Sequence, residues 1–155
     1  MAYKYNRYSE VIDWFALQKK INEKYTGGRG HFFPRKAIVT AFLGENVGFE
    51  KNKVRPAIVV SVDSNNQTSG NVAIVPLTKE ENKIDRTTGK PVSKRLLASQ
   101  YKLFKSKYGK LNHNSIVQCE DVRIVSKARI GDVIDFIDDA DMKQISKRLK
   151  YFFGI

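Results

Sequence analysis

The chain has 155 residues, and its 28 Lys and Arg outnumber its 16 Asp and Glu to give a formal net charge of +12. The length suits a single domain, residues 1–155, and the apolar fraction of 41% is typical of a soluble globular protein. No stretch approaches the roughly 18 apolar residues of a transmembrane helix, and the first residues lack the apolar core of a signal peptide, so we expect a cytoplasmic protein without a membrane-spanning segment.

A positive charge of this size speeds encounter with polyanions. Nucleic acid is the first candidate partner, an anionic membrane surface the second, and a protein with an acidic tail the third. A basic surface without a partner is the remaining interpretation. The single cysteine, Cys119, excludes an internal disulfide and any zinc site made of several cysteines.

The first predicted element is an amphipathic helix from Tyr3 to Tyr25. Ser9 can cap its first turn, and Gly27 and Gly28 can end it. One face carries an apolar stripe, for which packing against the core is favoured over a binding groove. The members of this stripe are Val11, Trp14, Phe15, Ile21 and Tyr25.

A linker or strap, Gly27 to Pro34, comes next, and we expect Phe32 and Phe33 to anchor it to the core. Lys36 to Leu43 is a plausible first strand, and Gly44 to Val54 is a polar loop that contains glycine. Residues 1–35 therefore form a helical extension, and residues 36–155 form the main body of the domain.

The next stretch predicts a β-hairpin. Ala57 to Val62 and Val72 to Leu77 are apolar runs rich in Val and Ile, and the polar block Asp63 to Asn71 between them indicates a turn or loop. If the two runs pair, Arg55 at the start of the first and Thr78 after the second become neighbours.

Lys79 to Ser93 is polar and rich in turn residues, and Lys94 to Ala98 is a possible short strand. Ser99 to Tyr108 predicts a short helix, because apolar residues recur there at spacings of four, three and four. Lys102 and Lys105 lie off that face. Lysines interleaved with aromatic residues can bind single-stranded RNA, although burial of the aromatic rings with solvated lysines is the favoured alternative for the rings. The apolar positions are Leu97, Tyr101, Phe104 and Tyr108.

Three further strands are predicted at Ser115 to Glu120, Val122 to Ser126 and Asp132 to Ile137. A final helix spans Asp139 to Phe153, with Asp138 or Asp139 as its cap and Gly154 at its end. Its buried stripe consists of Met142, Ile145, Leu149 and Phe152. Six or seven short strands with helices at both ends and one in a loop indicate a β-rich α+β fold, a small, strongly bent antiparallel barrel with helices outside it.

Several kinds of chemistry are not indicated. His31 and His113 lie far apart without ligand spacing, so each is expected to be a loop or surface residue and no metal site is predicted. The glycines of Gly27 to Gly30 lack the Lys-Ser/Thr of a phosphate-binding loop, and no GxSxG sequence occurs. Cys119 lies within a predicted strand, where a thiol is inert.

The polar residues at strand ends offer a different chemistry. An arginine and a hydroxyl, Arg55 and Thr78, can stabilise the charge of a phosphorane-like transition state without a metal. The structural alternative is that Arg55 pairs with a loop carboxylate such as Glu50. Glu120 and Arg123 are further polar residues at predicted strand ends.

Three sequence blocks, in this order, resemble the MazF/PemK family of toxin endoribonucleases. The first is Gly48-Phe49-Glu50 followed by RPAIVVS at Arg55 to Ser61. The second is Pro76-Leu77-Thr78, and the third is SIVQCEDVRIVSKARIG at Ser115 to Gly131. The resemblance covers about Lys36 to Ile155 and leaves the first 35 residues outside.

The resemblance implies an SH3-like barrel that is usually a homodimer. It implies cleavage of single-stranded mRNA without metal or other cofactor, through attack of a ribose 2′-hydroxyl that leaves cyclic phosphate and 5′-hydroxyl ends. A cognate antitoxin protein, with an acidic or amphipathic segment, is the implied second partner.

Carried over to this sequence, the resemblance makes Arg55 the catalytic arginine and Thr78 a ligand of the scissile phosphate. Glu50 matches an acidic loop position, and Glu120 matches an aspartate that some members use as acid or base. The RNA-binding candidates are Arg123, Ser61, Lys53, Lys102 and Lys105.

The sequence departs from the family pattern at three positions. Glu120 is longer than the usual aspartate by one methylene, Gln118 replaces a charged arginine, and Phe49 replaces a small or polar residue. Two other classes of function stay open beside the ribonuclease: a nucleic-acid-binding module without catalysis, and a protein–protein adaptor that docks through its N-terminal helix.

Overall fold

The structure is a computed structural model that describes residues 8–25 and 31–155. It contains three α-helices, α1 (Tyr8–Lys24), α2 (Asp63–Thr68) and α3 (Asp139–Phe153). Its nine strands are β1 (Ala37–Gly44), β2 (Lys53–Val59), β3 (Asn71–Lys79), β4 (Asn82–Ile84), β5 (Pro91–Ser93), β6 (Gln100–Leu103), β7 (Ser115–Gln118), β8 (Arg123–Ser126) and β9 (Ile130–Phe136). In the described residues no helix is both long and apolar enough to cross a membrane.

Seven strands form one antiparallel sheet in the order β6-β7-β3-β2-β1-β9, with β8 beside β3 as well. The strands β4 and β5 form a separate hairpin. The predicted β-rich α+β class, with a bent antiparallel sheet and helices at both ends, is confirmed. Across the described ranges, no hydrogen-bonded pair joins β6 to β9, so the barrel is open between these edges.

Strand β3 bends the sheet because it changes neighbours along its length. Its first half, Asn71–Ile74, pairs with β8, whereas its last residues, Leu77–Lys79, pair with β7. Between them, Val75 and Pro76 pair with β2, and proline has no amide hydrogen to donate to a second neighbour. A 3₁₀ turn at Cys119–Asp121 connects β7 to β8 and lies beside this point. The bend therefore places that turn near the end of β3.

Both faces of the central strands are buried, which explains their continuous apolar runs. One core cluster lies under α3 and includes Ile38, Ile58 and Ile145, and the other fills the opposite face with residues such as Val39, Val59 and Ile74. Alternate residues of β1 and β2 enter the two clusters, as the period of two in a strand requires.

The predicted final helix is confirmed at Asp139–Phe153. The Asp138 carboxylate accepts a hydrogen bond from the Asp141 amide at 2.8 Å, and Gly154 adopts a left-handed conformation at the other end. Met142 and Ile145 are buried as predicted, but Phe152 is exposed. The helix packs on β6 and on the Cys119–Asp121 turn.

The N-terminal helix differs from the prediction in its packing. It is confirmed over Tyr8–Lys24, and the predicted start at Tyr3 and the Gly27-Gly28 stop lie outside the described residues. No residue of α1 is fully buried, and Val11 and Phe15 of the predicted stripe are exposed. The half-buried positions are Trp14, Leu17 and Ile21, which share one face. The helix therefore rests on the surface of the domain. In the strap, Phe33 is buried, whereas Phe32 is exposed.

The predicted loop helix at Ser99 to Tyr108 is wrong. Gln100–Leu103 is strand β6, which pairs with β7 from Gln100↔Gln118 to Leu103↔Ser115. Pairing with a neighbouring strand overrides the helical spacing of the aromatic residues, and Phe104, a member of the predicted stripe, is 51% exposed. The predicted strand at Lys94 to Ala98 is also wrong, since the strand β5 ends at Ser93.

The only loop helix of the described ranges is α2, in the segment predicted as a turn between β2 and β3. Its buried Asn66 explains why this polar block folds. Asn66 Nδ2 donates to the Ser61 carbonyl at 2.9 Å, and Asn66 Oδ1 accepts from the Ser61 hydroxyl. These two hydrogen bonds hold α2 against Ser61, just after the end of β2.

Candidate active site

Two adjoining cavities share a wall formed by Thr78 and Lys79 at the end of β3. The first, of about 330 Å³, is bounded by Arg55, Asn112 and His113 among others; we call it the arginine cavity. The second, of about 250 Å³, is bounded by Lys51, Glu80, Lys94, Arg95, Gln100 and Gln118 among others; we call it the glutamine cavity. Together they form a groove over the edge where β2, β3 and β7 meet.

Arg55 and Thr78 are neighbours, as the hairpin pattern predicts. The register Ala57↔Pro76, continued by two residues along each strand, places Arg55 opposite Thr78. Thr78 lies inside β3 and pairs with Ile116 on its other side. Both side chains are half-buried and line the arginine cavity, which puts a guanidinium and a hydroxyl on one concave surface.

The Arg55 side chain is held by the backbone and not by Glu50. Arg55 Nε donates to the Asn52 carbonyl at 2.9 Å. Glu50 instead accepts a hydrogen bond from the Val47 amide at 3.1 Å within the same loop. The alternative in which Glu50 fixes Arg55 is therefore not what the structure shows. A guanidinium bound through Nε keeps its terminal nitrogens free to bind an oxyanion.

The loop between β1 and β2, residues 45–52, is ordered by Asn46. The Asn46 amide nitrogen donates to the Leu43 carbonyl at 3.0 Å and to the Lys51 carbonyl at 2.7 Å, while its backbone N–H donates to Asn52 Oδ1 at 2.8 Å. The loop thus has an internal frame that ends at Asn52, the residue whose carbonyl holds Arg55.

The turn after β7 carries two carboxylates with different surroundings. Glu120 accepts hydrogen bonds from Ser99 Oγ at 2.7 Å and Gln100 Nε2 at 2.5 Å, so it ties the turn to the start of β6. Asp121 lies 3.5 Å from Lys51 Nζ. Burial raises the pKa of the Asp121 carboxyl, against the opposing charges of Lys51 and Arg55. Asp121 is thus the carboxylate that shares its electrostatic surroundings with Arg55.

Gln118 lines the glutamine cavity but leaves a polar atom unsatisfied. Its Oε1 atom is buried and has no hydrogen-bond partner within the described part of the chain. Such atoms are rare in proteins and cost about 1–3 kcal/mol each. Basic side chains outnumber acidic ones on the walls of this cavity, with Lys51, Lys79, Lys94 and Arg95 beside Glu80 and Glu81.

The predicted RNA-binding residues do not lie together. Lys53 lines the arginine cavity. Lys102 is paired with Glu80 at 2.5 Å, so its charge is neutralised within the protein. Lys105 Nζ donates to the Asn112 carbonyl at 3.3 Å, close to the cavity rim.

Ser61 and Arg123 lie elsewhere. The Ser61 hydroxyl accepts from the Ala73 amide at 3.0 Å at the far end of β2, where it closes the α2 segment. Arg123 starts β8 opposite Ile74. Burial lowers the pKa of the Arg129 guanidinium, and the charge of Arg123 nearby lowers it further. Neither residue lines either cavity.

Sequence reasoning missed two residues of the groove, Lys79 and His113, and one residue beside it, Asp121, whose carboxylate lies 3.5 Å from Lys51 Nζ. Lys79 directly follows Thr78, and successive side chains of a strand normally point to opposite faces of the sheet. The sequence therefore does not predict that both residues line the groove. His113 precedes β7, and only the pairing of β7 with the end of β3 brings it to the cavity that Arg55 also lines. Asp121 directly follows Glu120 in the sequence, and this adjacency to a predicted site residue is the signal that could have indicated it.

Metal chemistry has no candidate ligand set in the described residues, where no group of three or more His, Cys, Asp or Glu side chains is placed to hold an ion. Cys119 is fully buried in the turn after β7 rather than within a strand, and burial raises the pKa of its thiol to about 12. A thiol with this pKa is protonated at neutral pH and is a poor nucleophile.

Comparison with known proteins identifies the family. A family described as "PemK-like, MazF-like toxin of type II toxin-antitoxin system" matches residues 34–153. Endoribonuclease MazF of Staphylococcus saprophyticus is 24% identical over 121 residues, which are 78% of this chain and 91% of that protein.

Solved structures agree on the fold. MazF (Form-I) from Deinococcus radiodurans is 15% identical with a TM-score of 0.63, covering 81% of this chain and 99% of that one. An endoribonuclease in complex with its cognate antitoxin from Mycobacterial species is 18% identical with a TM-score of 0.58, covering 79% and 96%. Because the matched family segment runs from the strap before β1 to the end of α3, the chain belongs to the PemK-like, MazF-like toxin family of type II toxin–antitoxin systems.

Proposed function

We propose that this chain is the toxin of a toxin–antitoxin pair and an endoribonuclease that cuts single-stranded mRNA without a metal ion. The single observation that carries the proposal is the meeting of Arg55 and Thr78 in one cavity on a protein of net charge +12. A chain of this family, with a guanidinium and a hydroxyl on a basic concave surface, has the parts needed to bind and stabilise a phosphodiester.

The reaction is an internal displacement at phosphorus. The ribose 2′-oxygen loses its proton and attacks the adjacent phosphorus, and the bond from phosphorus to the 5′-oxygen of the next nucleotide breaks. The products are a 2′,3′-cyclic phosphate and a 5′-hydroxyl end, with the departing oxygen taking up a proton. Negative charge grows on the non-bridging oxygens, which Arg55 stabilises more in the transition state than in the ground state.

Thr78 and His113 take the other two roles in this proposal. The Thr78 hydroxyl donates to a phosphate oxygen and fixes its orientation opposite Arg55. His113 is the one imidazole among the residues lining the arginine cavity, and it serves as the base for the 2′-hydroxyl. Glu120 is assigned no proton transfer, because each of its carboxylate oxygens already accepts a hydrogen bond, one from Ser99 and one from Gln100.

The partners follow from the charge and the apolar surface. An antitoxin with an acidic segment fits the groove that carries Lys51, Lys79, Lys94 and Arg95. For a homodimer we propose the end of α3, where several large apolar side chains face solvent: Tyr151, Phe152, Phe153 and Ile155. Sedimentation should give twice the chain mass, and changing Phe152 and Phe153 to Ser should give the monomer. We place the reaction in the cytoplasm, where mRNA is found.

The test is cleavage of a long, mostly unstructured RNA by the purified protein in EDTA, beside the Arg55→Ala variant. Loss of a preorganised transition-state contact costs about 10²–10³ in rate, so we expect discrete fragments with 5′-hydroxyl ends from the native protein and at least a hundredfold slower cutting by the variant. Arg86→Ala is the matched control, because Arg86 lies in the turn between β4 and β5 and lines neither cavity. Intact RNA that binds with salt-dependent affinity would indicate a binding module instead.

A further inference from the structure

The N-terminal helix α1 lies outside the residues that match the family, and it contacts both ends of the loop that carries Glu50 and Lys51. Gly44 and Lys53 are register partners at the neck of this loop. Trp14 covers Gly44, and Glu10, one helical turn earlier, lies 3.9 Å from Lys53 Nζ. The helix thus holds the neck from one side.

The neck is a strained part of the hairpin. Gly44 has a φ of +83° and Lys53 has a φ of +68°. For a residue with a side chain this left-handed conformation costs about 1–2 kcal/mol, so it persists only where surrounding contacts maintain it. At Gly44 an added methyl group would overlap the Trp14 ring. The glycine is therefore needed both for its φ and for the close approach of the tryptophan.

A chain of contacts runs from Trp14 to Arg55. The Arg129 guanidinium lies 5.2 Å from the centre of the Trp14 ring and donates to the Phe42 and Leu43 carbonyls, each at 3.1 Å. The Leu43 carbonyl also accepts from Asn46, whose side chain orders the loop as far as Asn52. The Asn52 carbonyl holds Arg55 Nε.

We infer that Trp14 is a positioning residue for the proposed ribonuclease: with Arg129 it fixes the neck at Gly44 and thereby the placement of Arg55. The inference rests on the proposed function. Among the residues that give the groove its charge, Lys51 and Lys53 lie on this loop and its neck, whereas Lys79, Lys94 and Arg95 are on other elements. Loss of Trp14 therefore impairs the catalytic step far more than RNA binding.

The test compares kcat and KM of the full chain carrying Trp14→Ala, Trp14→Phe or Phe15→Ala. A displacement of about 1 Å can cost about 100-fold in rate. Since the loop keeps its Asn46 frame, we expect Trp14→Ala to lower kcat by roughly tenfold with KM within about twofold. Trp14→Phe, which keeps a ring over Gly44, should restore most of kcat. Phe15→Ala, on a residue that is 73% exposed, is the matched control and should have no effect.

Two further measurements separate positioning from loss of folding. Trp14 is the single tryptophan of the chain, so quenching of its fluorescence by acrylamide reports whether α1 is docked, and Arg129→Ala should increase the quenching. The double variant Trp14→Ala/Arg129→Ala should be no slower than the slower single variant, because both act through the same neck. Trp14→Ala should lower the urea midpoint only modestly more than Phe15→Ala does, because Trp14 is half-buried against Gly44 and Arg129 whereas Phe15 is exposed. A large fall in the midpoint would show that Trp14 acts through folding and would overturn the positioning role.

The outcomes distinguish this inference from the proposed function. A native protein that cuts RNA while Trp14→Ala keeps its kcat, or loses only KM, overturns the positioning role and leaves the ribonuclease in place. Equal losses in Trp14→Ala and Phe15→Ala, or additive losses in the double variant, overturn it too. A native protein that leaves RNA intact overturns the proposed function and, with it, this role.

Discussion

The largest effect on stability is expected at Asp141, a buried carboxylate that joins three parts of the fold. It is 7% exposed, in the first turn of α3. It accepts hydrogen bonds from Tyr101 Oη in β6 at 2.6 Å, and from Lys107 Nζ at 2.7 Å and Tyr108 Oη at 2.5 Å in the turn after β6. Removing the carboxylate by Asp141→Ala leaves all three donors without this acceptor.

The cost can be worked from the surroundings of each donor. Tyr108 is buried, so its hydroxyl proton would lose its only acceptor in the described residues, at about 1–3 kcal/mol. Tyr101 is half-buried and its lost bond costs about 1 kcal/mol. Lys107 keeps its ion pair with Asp138 at 2.6 Å and loses least. The sum is about 2–5 kcal/mol, which overlaps the usual cost of about 3–5 kcal/mol for breaking a buried charged pair, out of a total of about 5–15 kcal/mol for a domain.

Equilibrium unfolding in urea measures this cost. With a slope of about 1–3 kcal/mol/M, Asp141→Ala should lower the midpoint by about 2 M, and Asp141→Asn, which keeps one acceptor oxygen, by less than half of that. Asp139→Ala is the control: its side chain is 93% exposed and its ion pair with Lys36 lies at the surface, so the change should stay below about 1 kcal/mol. A loss under about 1 kcal/mol in Asp141→Ala would refute the reasoning.

The same network makes stability depend on acid. Burial would raise the pKa of the Asp141 carboxyl, but hydrogen bonds from Lys107, Tyr101 and Tyr108 outweigh it and lower the pKa below the ordinary value of 3.8. A carboxyl whose pKa is lower in the folded state stabilises the fold fully above the unfolded pKa, and this contribution is lost as the pH falls through the folded pKa. Between pH 5 and pH 2 the native protein should therefore lose more stability than Asp141→Asn does.

Two further predictions concern the groove. His113→Gln should lower kcat and leave KM nearly unchanged, because an amide cannot accept the proton of the 2′-hydroxyl as an imidazole can; an unchanged kcat would assign the base elsewhere. Gln118→Met keeps the length of the side chain and removes the unsatisfied Oε1, so the free energy of unfolding should rise by about 1–3 kcal/mol in urea titrations. An equal or lower stability would show that Oε1 is satisfied in solution, for example by water.

The fold could be predicted from the sequence where local and tertiary signals agree. The Val- and Ile-rich runs of β2 and β3 are buried on both faces, and α3 combines an aspartate cap, an apolar stripe and a terminal glycine, so both were predictable from nearby residues. In β6 the signals conflict. Its aromatic residues have helical spacing, yet pairing with β7 and the bonds from Tyr101 to α3 decide its conformation. Such pairing depends on residues far along the chain, which a local pattern does not report.

The candidate site depends even more on pairing between residues that are far apart in the sequence. Arg55 and Thr78 were predictable because one hairpin brings them together, and the register bears out that pairing. His113 reaches the groove, and Asp121 comes to lie beside Lys51, through β7, which pairs with the last residues of β3 only because β3 exchanges neighbours at Pro76. No residue spacing in the sequence indicates where β3 changes its neighbouring strand. The pairing of Lys102 with Glu80 could not be predicted for a related reason, since the two residues lie 22 positions apart.

The length of Glu120 explains how the groove differs from the expected family pattern. A glutamate reaches both Ser99 and Gln100 across the turn, so both oxygens of this carboxylate are bonded to residues at the start of β6. Gln118, two residues before Glu120, is neutral, so it provides no positive charge that could pair with a free carboxylate in this turn. Positive charge in the groove therefore depends on lysines and arginines from other segments, Lys51, Lys79, Lys94 and Arg95. With Glu120 bonded within the protein and Gln118 neutral, the proposed reaction depends on Arg55 to stabilise the phosphate, and the contacts that fix Arg55 gain importance accordingly.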